Sequence, residues 1–402
     1  MDKKRLFLAF LVLGSFACYS QTNRVVSMDI DDTQIQVGAA QTGKYVPLLR
    51  GKNVALCVNH TATIGNVHLL DTLIRAGIRV VKIFAPEHGF RGDEEAGKNI
   101  VNSVDSKTKV PVVSMYGQTK KPTKEQLRGV DILVFDIQDV GARFFTYIST
   151  LHYMMEAAAE NGIRIIVLDR PNPNGYWVDG LVLDTAYRSF VGIDPVPIAH
   201  GMTVGEYAKM INGEGWIHAP KQCNLTVIPI IGYTHFQRYQ LPVSPSPNLS
   251  SMAAIYLYPT LCLFEGTCMS LGRGTDKPFR LLGHPDFPVG TIYFTPKSIP
   301  NVASNPPHLE KSCRGFDLTD YALSILKNTN FIDIDFLIES YQNCPNKTQF
   351  FTAFFDKLAG NKSLREQIIA GKSAAEIKES WKKDLDKFKQ IRKKYLLYTD
   401  FE

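Results

Sequence analysis

The most useful absences in this 402-residue chain are those of short catalytic and ligand-binding motifs. No two of its 7 cysteines form a C-x-x-C pair, which argues against a zinc or redox motif, and we favour free thiols over a Cys262–Cys268 bridge. No G-x-G-x-x-G follows the first predicted strand, so a dinucleotide site would lack its usual phosphate-binding loop. Neither H-E-x-x-H nor G-x-S-x-G occurs, so nothing supports a zincin or an esterase. Residues 370–373 resemble the end of a P-loop, but Glu366 stands where the first glycine is needed.

A large excess of charge of one sign is also missing. The net charge is only +6, and the lysines gather near the C-terminus instead of alternating with aromatic residues. This pattern disfavours a dedicated nucleic-acid binder. With 45% hydrophobic and 21% charged residues, the composition is typical of a globular protein with a large core, and the length allows two domains.

One apolar run, at residues 6–17, follows a basic segment at residues 1–5. This run is too short to span a bilayer core of about 30 Å, and its proportions are those of a signal peptide. No later segment is apolar enough to cross a membrane. We therefore predict a signal peptide over residues 1–20 and an exported mature protein, either periplasmic or lipid-anchored to the cell envelope.

Two processing routes are open at the end of this signal. Residues 15–18, Ser-Phe-Ala-Cys, loosely resemble a lipobox, which would place a lipid on Cys18. Alternatively, cleavage after Ser20 would leave Gln21 as the first residue of the mature chain. Membrane association is expected only through such an N-terminal lipid. A polar, irregular lead-in is predicted over residues 21–45.

From residue 46 the chain alternates apolar runs with amphipathic segments. Strands that are apolar on both faces and alternate with helices indicate an α/β fold with a parallel sheet covered on each side. The predicted strands lie at residues 54–58, 80–84, 110–115, 132–136, 163–168 and 225–231, and the predicted helices at residues 69–74, 143–160 and 204–211.

A proline-rich run at residues 241–248 cannot form regular structure. It is the predicted boundary between a catalytic domain over residues 46–240 and a smaller C-terminal α/β domain over residues 241–402.

The smaller domain is predicted to mix strands with helices. Its strands lie near Ile255 and Ile292, and its helices begin at Tyr321 and at Ser373, the last one ending near Tyr395. Capping boxes pair a serine or threonine with a glutamate three residues later and mark helix starts. Those in this chain are Thr203–Glu206, Ser363–Glu366 and Ser373–Glu376.

Three of the predicted strands run directly into dense polar chemistry. The first reaches Glu87, His88 and Arg91, the second runs into residues 136–139 (Asp-Ile-Gln-Asp), and the third into residues 169–172 (Asp-Arg-Pro-Asn). The carboxyl ends of parallel strands meet at one edge of a sheet, where ligands bind. We therefore predict one polar pocket assembled along this edge.

Two glutamates are predicted to carry chemistry. Glu87 follows a proline at the mouth of a strand, and it is either a loop carboxylate paired with Arg91 or a general acid or base. Glu265 lies in a glycine-flanked loop together with Arg273. Glycines let the backbone approach a ligand closely, and an arginine can hold a carboxylate or phosphate by two hydrogen bonds.

Two aspartates follow the same strand. Asp139 could cap a helix that starts near Ala142. Asp136 ends a buried strand, where an unpaired charge is costly, so it requires a partner. Arg143 and Arg170 are the candidates.

The remaining candidates are polar or aromatic residues near the strand ends, predicted to bind substrate. Residues 169–175 form a stiff turn with two prolines that holds Arg170 and Asn172 on a rigid frame, although a purely structural role is the simpler alternative. The complete predicted set of binding residues is Asn59, His88, Arg91, Gln138, Arg143, Tyr147, Asp169, Arg170, Asn172, His200 and Arg273.

Several longer segments together resemble one family, the NamZ (YbbC-like) exo-β-N-acetylmuramidases. The resemblance runs from about residue 45 to the C-terminus. The matching segments are residues 85–92 (Ala-Pro-Glu-His-Gly-Phe-Arg-Gly), 135–144 with 147–150, 168–173 (Leu-Asp-Arg-Pro-Asn-Pro), 200–206 (His-Gly-Met-Thr-Val-Gly-Glu), 245–248 (Pro-Ser-Pro-Asn), 265–267 and 272–275 (Gly-Arg-Gly-Thr).

This resemblance implies release of N-acetylmuramic acid from the non-reducing ends of peptidoglycan fragments such as MurNAc-GlcNAc. It also implies a Rossmann-like domain joined to a smaller α/β domain, with the site in the cleft between them, and makes Glu87 the leading catalytic candidate. Two departures from the family pattern, at residues 59–61 (Asn-His-Thr) and at Leu271, could alter substrate preference.

Glycoside hydrolysis commonly uses two carboxyl groups, about 5 Å apart for retention of configuration or about 6.5–9.5 Å apart for inversion. Glu87 is the expected acid, and no metal or cofactor is required. The second group is one of three residues: Asp136, Asp139 or Glu265. Three arginines compete to hold the lactyl carboxylate of muramic acid: Arg143, Arg170 and Arg273.

Two other functions stand as alternatives. Asp136 and Asp139 on a divalent metal would make a phosphohydrolase. An envelope protein that binds muropeptides without catalysis would show binding and no turnover.

Overall fold

The computed structural model describes residues 35–92, 95, 102–117, 119–329 and 331–402. The predicted signal peptide, Cys18 and the lead-in up to residue 34 lie outside the described residues. Within those ranges, no helix combines the length and the apolar character needed to span a membrane.

A mainly parallel sheet forms the centre of the N-terminal part. Seven strands pair in the order β5-β6-β4-β1-β7-β8-β9, all parallel except the edge strand β5, while β2 and β3 form a short hairpin. The strands are β1 (Asn53–Val58), β2 (Thr63–Ile64), β3 (Val67–His68), β4 (Arg79–Ala85), β5 (Ser103–Val104), β6 (Pro111–Ser114), β7 (Ile132–Asp136), β8 (Arg164–Leu168) and β9 (Leu225–Ile228).

The chain builds outward from β1 in one direction and then returns to build outward from β7 in the other. This reversal is the switch point of a Rossmann-like sheet. Alternate residues of β1 face different cores: Val54 and Leu56 face one core, and Ala55 and Cys57 face the other. Burial on both faces confirms the predicted covered parallel sheet.

Within the described ranges, four helices cover this sheet. They are α1 (Thr42–Leu49), α2 (Leu69–Arg75), α3 (Tyr147–Glu160) and α4 (Val204–Gly213). The first two contribute side chains to one core, and the last two contribute to the other. The predicted capping box at α4 is confirmed, because Thr203 and Glu206 satisfy each other's backbone groups.

The C-terminal part holds a three-stranded antiparallel sheet in the order β10-β12-β11. Its strands are β10 (Leu281–His284), β11 (Ile292–Phe294) and β12 (Cys313–Asp317). Its helices are α5 (Met252–Leu261), α6 (Thr319–Ser324), α7 (Asp335–Asn343), α8 (Phe355–Ala359), α9 (Ser363–Ile369) and α10 (Ala374–Lys393).

The two parts share one continuous core. Trp381 and Phe388 of α10 belong to the same hydrophobic cluster as α3 and α4 of the N-terminal part. In the last turn of α10, Arg392 donates to the Gly201 carbonyl of the first part at 2.8 Å, and beyond the helix the Tyr398 hydroxyl donates to Asp169. The predicted two-part α/β architecture is therefore present, with the parts closely interlocked.

The strand predicted near Ile255 is wrong, because this residue lies in α5. The segment is apolar on all sides and buried, so periodicity could not distinguish a buried helix from a strand. Pro259 inside this helix cannot donate to the Ile255 carbonyl. Asn174 replaces the missing donor with a hydrogen bond of 3.1 Å to that oxygen.

Smaller differences concern helix starts and cysteines. The helix predicted from residue 143 begins at Tyr147, and the helix at Ser363 lacks the predicted capping box, whereas the box at Ser373 is confirmed. Residues 38–40 and 42–45 are helical, which differs from the irregular lead-in predicted up to residue 45. The six cysteines of the described ranges are free.

Candidate active site

A cavity of about 510 Å³ opens between the two parts and brings predicted residues from both together. Glu87 and His88 line it from the N-terminal part, and Glu265 and Arg273 line it from the C-terminal part. Its wall is rich in aromatic side chains: Phe144, Phe145, Phe190, Tyr258, Phe264 and Phe279. A volume of this size and a mixed apolar and charged lining suit a small organic ligand.

A tight turn after β4 places Glu87 in the cavity wall. The strand ends at Ala85, and the Gly89 amide donates to the Pro86 carbonyl at 3.0 Å. Between them, His88 has a φ of 68°, which a side chain other than glycine seldom adopts. Such backbone strain concentrates at functional sites.

Hydroxyl groups surround the Glu87 carboxylate. Thr146, at the start of α3, donates to Glu87 Oε2 at 2.6 Å. Burial raises the pKa of Tyr116, and the charge of Glu87 and a hydrogen bond to it raise this pKa further, with a smaller effect of Glu265. The Tyr116 hydroxyl therefore lies beside Glu87 and is close enough to Glu265 for the negative charge of that residue to affect it.

Of the two alternatives for Glu87, the loop ion pair with Arg91 is not supported by the structure. Arg91 instead forms an ion pair with Asp105 and lies over the Phe90 ring, 4.4 Å from its centroid. Glu87 lines the cavity beside the hydroxyl groups of Thr146 and Tyr116.

Glu265 and Arg273 form the opposite side of the cavity. Glu265 lies in a short 3₁₀ turn, Cys262–Gly266, and accepts a hydrogen bond from the Arg273 guanidinium. Burial lowers the pKa of Arg273, but the charge of Glu265 and its hydrogen bond outweigh this and raise the pKa overall. The Phe279 ring, with its centroid 5.0 Å away, supports the guanidinium.

Most of the other predicted residues form a separate buried group, which we call the strand-end network. Its members hydrogen-bond to one another or to the backbone next to the sheet, and none of them lines the cavity. They are Asn59, Asp136, Gln138, Asp169, Arg170 and Asn172.

The centre of the strand-end network is a buried ion pair. Arg170 donates to both oxygens of Asp136, at 2.5 Å and 2.9 Å, and also to the Thr63 carbonyl at 3.0 Å. This confirms that Asp136 requires a partner and identifies Arg170 as that partner. A phosphohydrolase site on Asp136 loses its support, because the arginine already occupies both carboxylate oxygens.

Asp169 is fully buried near this pair. Thr203 donates to it at 2.8 Å and the Gly205 amide at 2.7 Å, in addition to Tyr398. Burial raises the pKa of Asp169 to about 7, against opposing hydrogen bonds and with a contribution from the charge of Glu206. Asp169 therefore joins α4 and the C-terminal tail to the end of β8.

The amides of the network hold the loops at the switch point. Asn59 accepts from the Thr61 hydroxyl at 2.6 Å, and Gln138 donates to the Pro171 carbonyl at 2.7 Å. Asn172 donates to the Met202 carbonyl at 2.9 Å. These hydrogen bonds tie together the loops that follow β1, β7 and β8.

The remaining predicted residues also lie away from the cavity lining. Arg143 is buried and donates to the carbonyls of Leu181, Val196 and Leu358, and burial lowers its pKa to about 9. Asp139 accepts from the Gly141 amide at 2.6 Å. His200 lies 3.7 Å from Asp139, and the Tyr147 hydroxyl donates to the Pro245 carbonyl at 3.1 Å.

Several polar residues that line the cavity are not among the predicted site residues, including Tyr116, Lys120 and Thr146. Tyr116 follows the end of β6, so the rule that polar residues at strand ends mark a site applied to it as well. Thr146 gave no signal, because only the fold brings it to Glu87. No group of three His, Cys, Asp or Glu side chains within the described ranges is arranged to hold a metal ion.

Comparison with known proteins covers nearly all of the described chain. A family model for the N-terminal domain of exo-beta-N-acetylmuramidase NamZ matches residues 54–253, and one for the C-terminal domain matches residues 256–398. A peptidoglycan beta-N-acetylmuramidase NamZ from Bacillus subtilis (strain 168) is 42% identical over 376 residues, covering 88% of this chain and 89% of that protein.

Two crystal structures of DUF1343 family proteins from Bacteroides fragilis NCTC 9343 have the same fold. One is 49% identical with a TM-score of 0.84, and the other is 30% identical with a TM-score of 0.78. Each alignment covers 91% of this chain and 99% of the other chain.

Proposed function

The chain belongs to the NamZ family of exo-β-N-acetylmuramidases, and from this premise we propose that it is a glycosidase that releases N-acetylmuramic acid from the non-reducing ends of peptidoglycan fragments. The observation that carries this proposal is the position of Glu87. Its carboxylate stands on a strained turn in the wall of a cavity of suitable size, where it can reach a bound sugar.

Glu87 is the general acid and base of the proposed reaction. It would protonate the glycosidic oxygen as the bond to the leaving sugar breaks. The hydroxyls of Thr146 and Tyr116 fix the orientation of the carboxylate, so little reorganisation is needed when substrate binds.

Glu265 is the best candidate for the second carboxyl group. Of the three residues considered, only Glu265 lines the same cavity as Glu87. Arg273 offsets its negative charge and fixes one carboxylate oxygen. Among the residues that the structure describes, the other oxygen accepts only a weak contact from Cys262 Sγ at 3.5 Å and can therefore turn towards water or the anomeric carbon.

The aromatic wall supplies the rest of the binding surface. Phe145 and Tyr258 meet edge to face, with centroids 5.7 Å apart, and Tyr258 meets Phe279 in the same way at 5.1 Å. These locked rings form a rigid apolar surface for the carbon face of a sugar.

Export is part of the proposal. The basic segment followed by an apolar run over residues 6–17 supports it, since peptidoglycan fragments are found outside the cytoplasm. N-terminal sequencing of the mature protein from its native host tests this, and an intact Met1 on the isolated protein would contradict it.

The experiment that tests the activity uses two disaccharides that differ in order. MurNAc-GlcNAc carries muramic acid at its non-reducing end, and GlcNAc-MurNAc carries it at the reducing end. We expect release of N-acetylmuramic acid from the first and no cleavage of the second. Binding of the first without turnover, or cleavage of both, would contradict an exo-acting muramidase.

A further inference from the structure

One cationic side chain of the cavity, Lys120, is not used by the proposed catalytic groups. It lines the cavity on the N-terminal side, with its ammonium 4.6 Å from the centroid of the Phe190 ring. None of the ion pairs found among the described residues involves Lys120. A half-buried cation that faces a cavity without a carboxylate partner is an electrostatic site for an anionic ligand group.

The adjacent lysine shows that this arrangement is specific to one position. Lys121 forms ion pairs with Glu156 at 2.7 Å and with Glu160 at 2.8 Å, both on α3. Of two neighbouring lysines, one is therefore neutralised by the fold and the other is directed to the cavity.

The arginines predicted to hold an anionic group are occupied. Arg143 is enclosed by backbone carbonyls, and Arg170 is paired with Asp136, both away from the cavity lining. Arg273 lines the cavity but is bound to Glu265. Using it for a substrate carboxylate would remove the positive charge that compensates Glu265.

The wall that carries Lys120 also carries the proposed acid. The ring of Phe190 stacks on Tyr153, with centroids 6.3 Å apart, and contacts Tyr116 with centroids 5.7 Å apart. Tyr116 in turn hydrogen-bonds to Glu87. A cation and an acid on one wall match muramic acid, whose lactyl ether and glycosidic oxygen belong to the same sugar ring.

We propose that Lys120 binds the lactyl carboxylate of N-acetylmuramic acid and thereby makes the enzyme prefer this sugar over N-acetylglucosamine. This inference rests on the proposed function. Phe190 holds the lysine by a cation–π contact and lowers the entropy lost when the ion pair with substrate forms.

The test compares Lys120→Met, Lys120→Arg and Lys121→Met with the wild-type enzyme. Kinetic constants are measured with 4-nitrophenyl N-acetyl-β-muramide, and inhibition constants are measured for free N-acetylmuramic acid and N-acetylglucosamine. Loss of a charge-assisted contact should raise KM for the muramide and the inhibition constant of muramic acid about 10- to 100-fold in Lys120→Met. The value of kcat should change little, and inhibition by N-acetylglucosamine should not change.

The two matched variants distinguish the loss of the positive charge at residue 120 from a general effect on folding. Lys120→Arg should keep most of the preference, and Lys121→Met should bind both sugars like the wild type. If Lys120→Met retains the wild-type ratio of inhibition constants while the wild type cleaves the muramide, this inference fails and the proposed function stands. If the wild type does not cleave the muramide, the proposed function itself fails.

Discussion

The cavity and the strand-end network are both rich in carboxylates, but their charges face different surroundings. In the network each carboxylate oxygen of Asp136 meets the guanidinium of Arg170, and Asp169 accepts from four neighbouring groups. In the cavity Glu87 and Glu265 also have protein partners, yet they border open space. A cluster of polar residues at the strand ends therefore indicates only the edge of the sheet where a site can form. Carboxylates whose oxygens are fully hydrogen-bonded within the protein maintain the fold, and carboxylates that border open space can contact a ligand.

The strongest test of this difference is Glu87→Gln. The change removes the transferable proton and keeps the shape of the side chain. We expect kcat on MurNAc-GlcNAc, whose sugar leaving group needs protonation, to fall by a factor of about 10² to 10⁴, the usual contribution of a general acid or base. The melting temperature should stay close to that of the wild type, because Glu87 lies at a cavity wall. A variant with wild-type kcat would exclude Glu87 as the acid.

The converse result is expected for Asp136→Asn. Leaving the buried guanidinium of Arg170 without its countercharge should lower the free energy of unfolding by about 3–5 kcal/mol. The value of kcat per folded molecule should be unchanged. Urea denaturation and active-site-normalised kinetics measure the two quantities.

A double variant controls this prediction. Asp136→Leu combined with Arg170→Met removes both charges and should recover most of the lost stability, since no buried charge is left unpaired. A large loss of kcat in the folded Asp136→Asn protein would show that the network takes part in the chemistry and would remove the distinction between the two regions.

The pH dependence of stability should reveal Asp169. Its pKa is about 7 in the folded protein, against an ordinary value of 3.8, so the folded state binds the proton more tightly than the unfolded state. The resulting stabilisation is complete below about pH 3.8 and is lost as the pH rises through about 7. Asp169→Asn should remove this component, with a slope of at most about 1.4 kcal/mol per pH unit.

The measurement is a series of urea denaturation curves of both proteins between pH 4 and pH 8. Only the difference between the two proteins in the free energy of unfolding is assigned to Asp169, because other buried acids titrate in the same pH range. Identical pH profiles for variant and wild type would mean that the folded protein does not hold this proton.

The smallest effect is expected for Thr146→Val, which removes the hydroxyl that donates to Glu87 at 2.6 Å. One hydrogen bond contributes about 1 kcal/mol, so kcat should fall about fivefold while KM changes little. Thr146→Ser keeps the donor and should retain most of the activity. An equal loss in both variants would point to packing of α3 instead of orientation of the carboxylate.

Much of the fold followed from local patterns. The strands β1, β4, β7 and β8 could be predicted because continuous apolar runs between helices indicate a buried parallel sheet, and the capping boxes of α4 and α10 have local signatures. The segment around Ile255 could not be assigned, since a helix buried on all sides has no amphipathic period. Its Pro259 is tolerated only because Asn174, distant in sequence, replaces a donor.

Only part of the site could be predicted, because the contacts between distant segments that complete it leave no local pattern in the sequence. The sequence placed Glu87, His88, Glu265 and Arg273 among the candidates, and the fold brings these four to one cavity. It could not separate them from the strand-end network, because pairing between Asp136 and Arg170 depends on the register of two strands and a loop. The family resemblance rested on whole segments and was confirmed by matches over both parts of the chain.

The most direct test of the distinction between the two regions is a crystal structure of the Glu87→Gln variant with MurNAc-GlcNAc bound. We predict that the sugar occupies the cavity, with the amide of residue 87 within about 3 Å of the glycosidic oxygen and the Glu265 carboxylate near the anomeric carbon. The Asp136–Arg170 pair should be unchanged and out of contact with the ligand. A disaccharide bound against Asp136 or Asp169, with Glu87 remote from the glycosidic bond, would contradict the account.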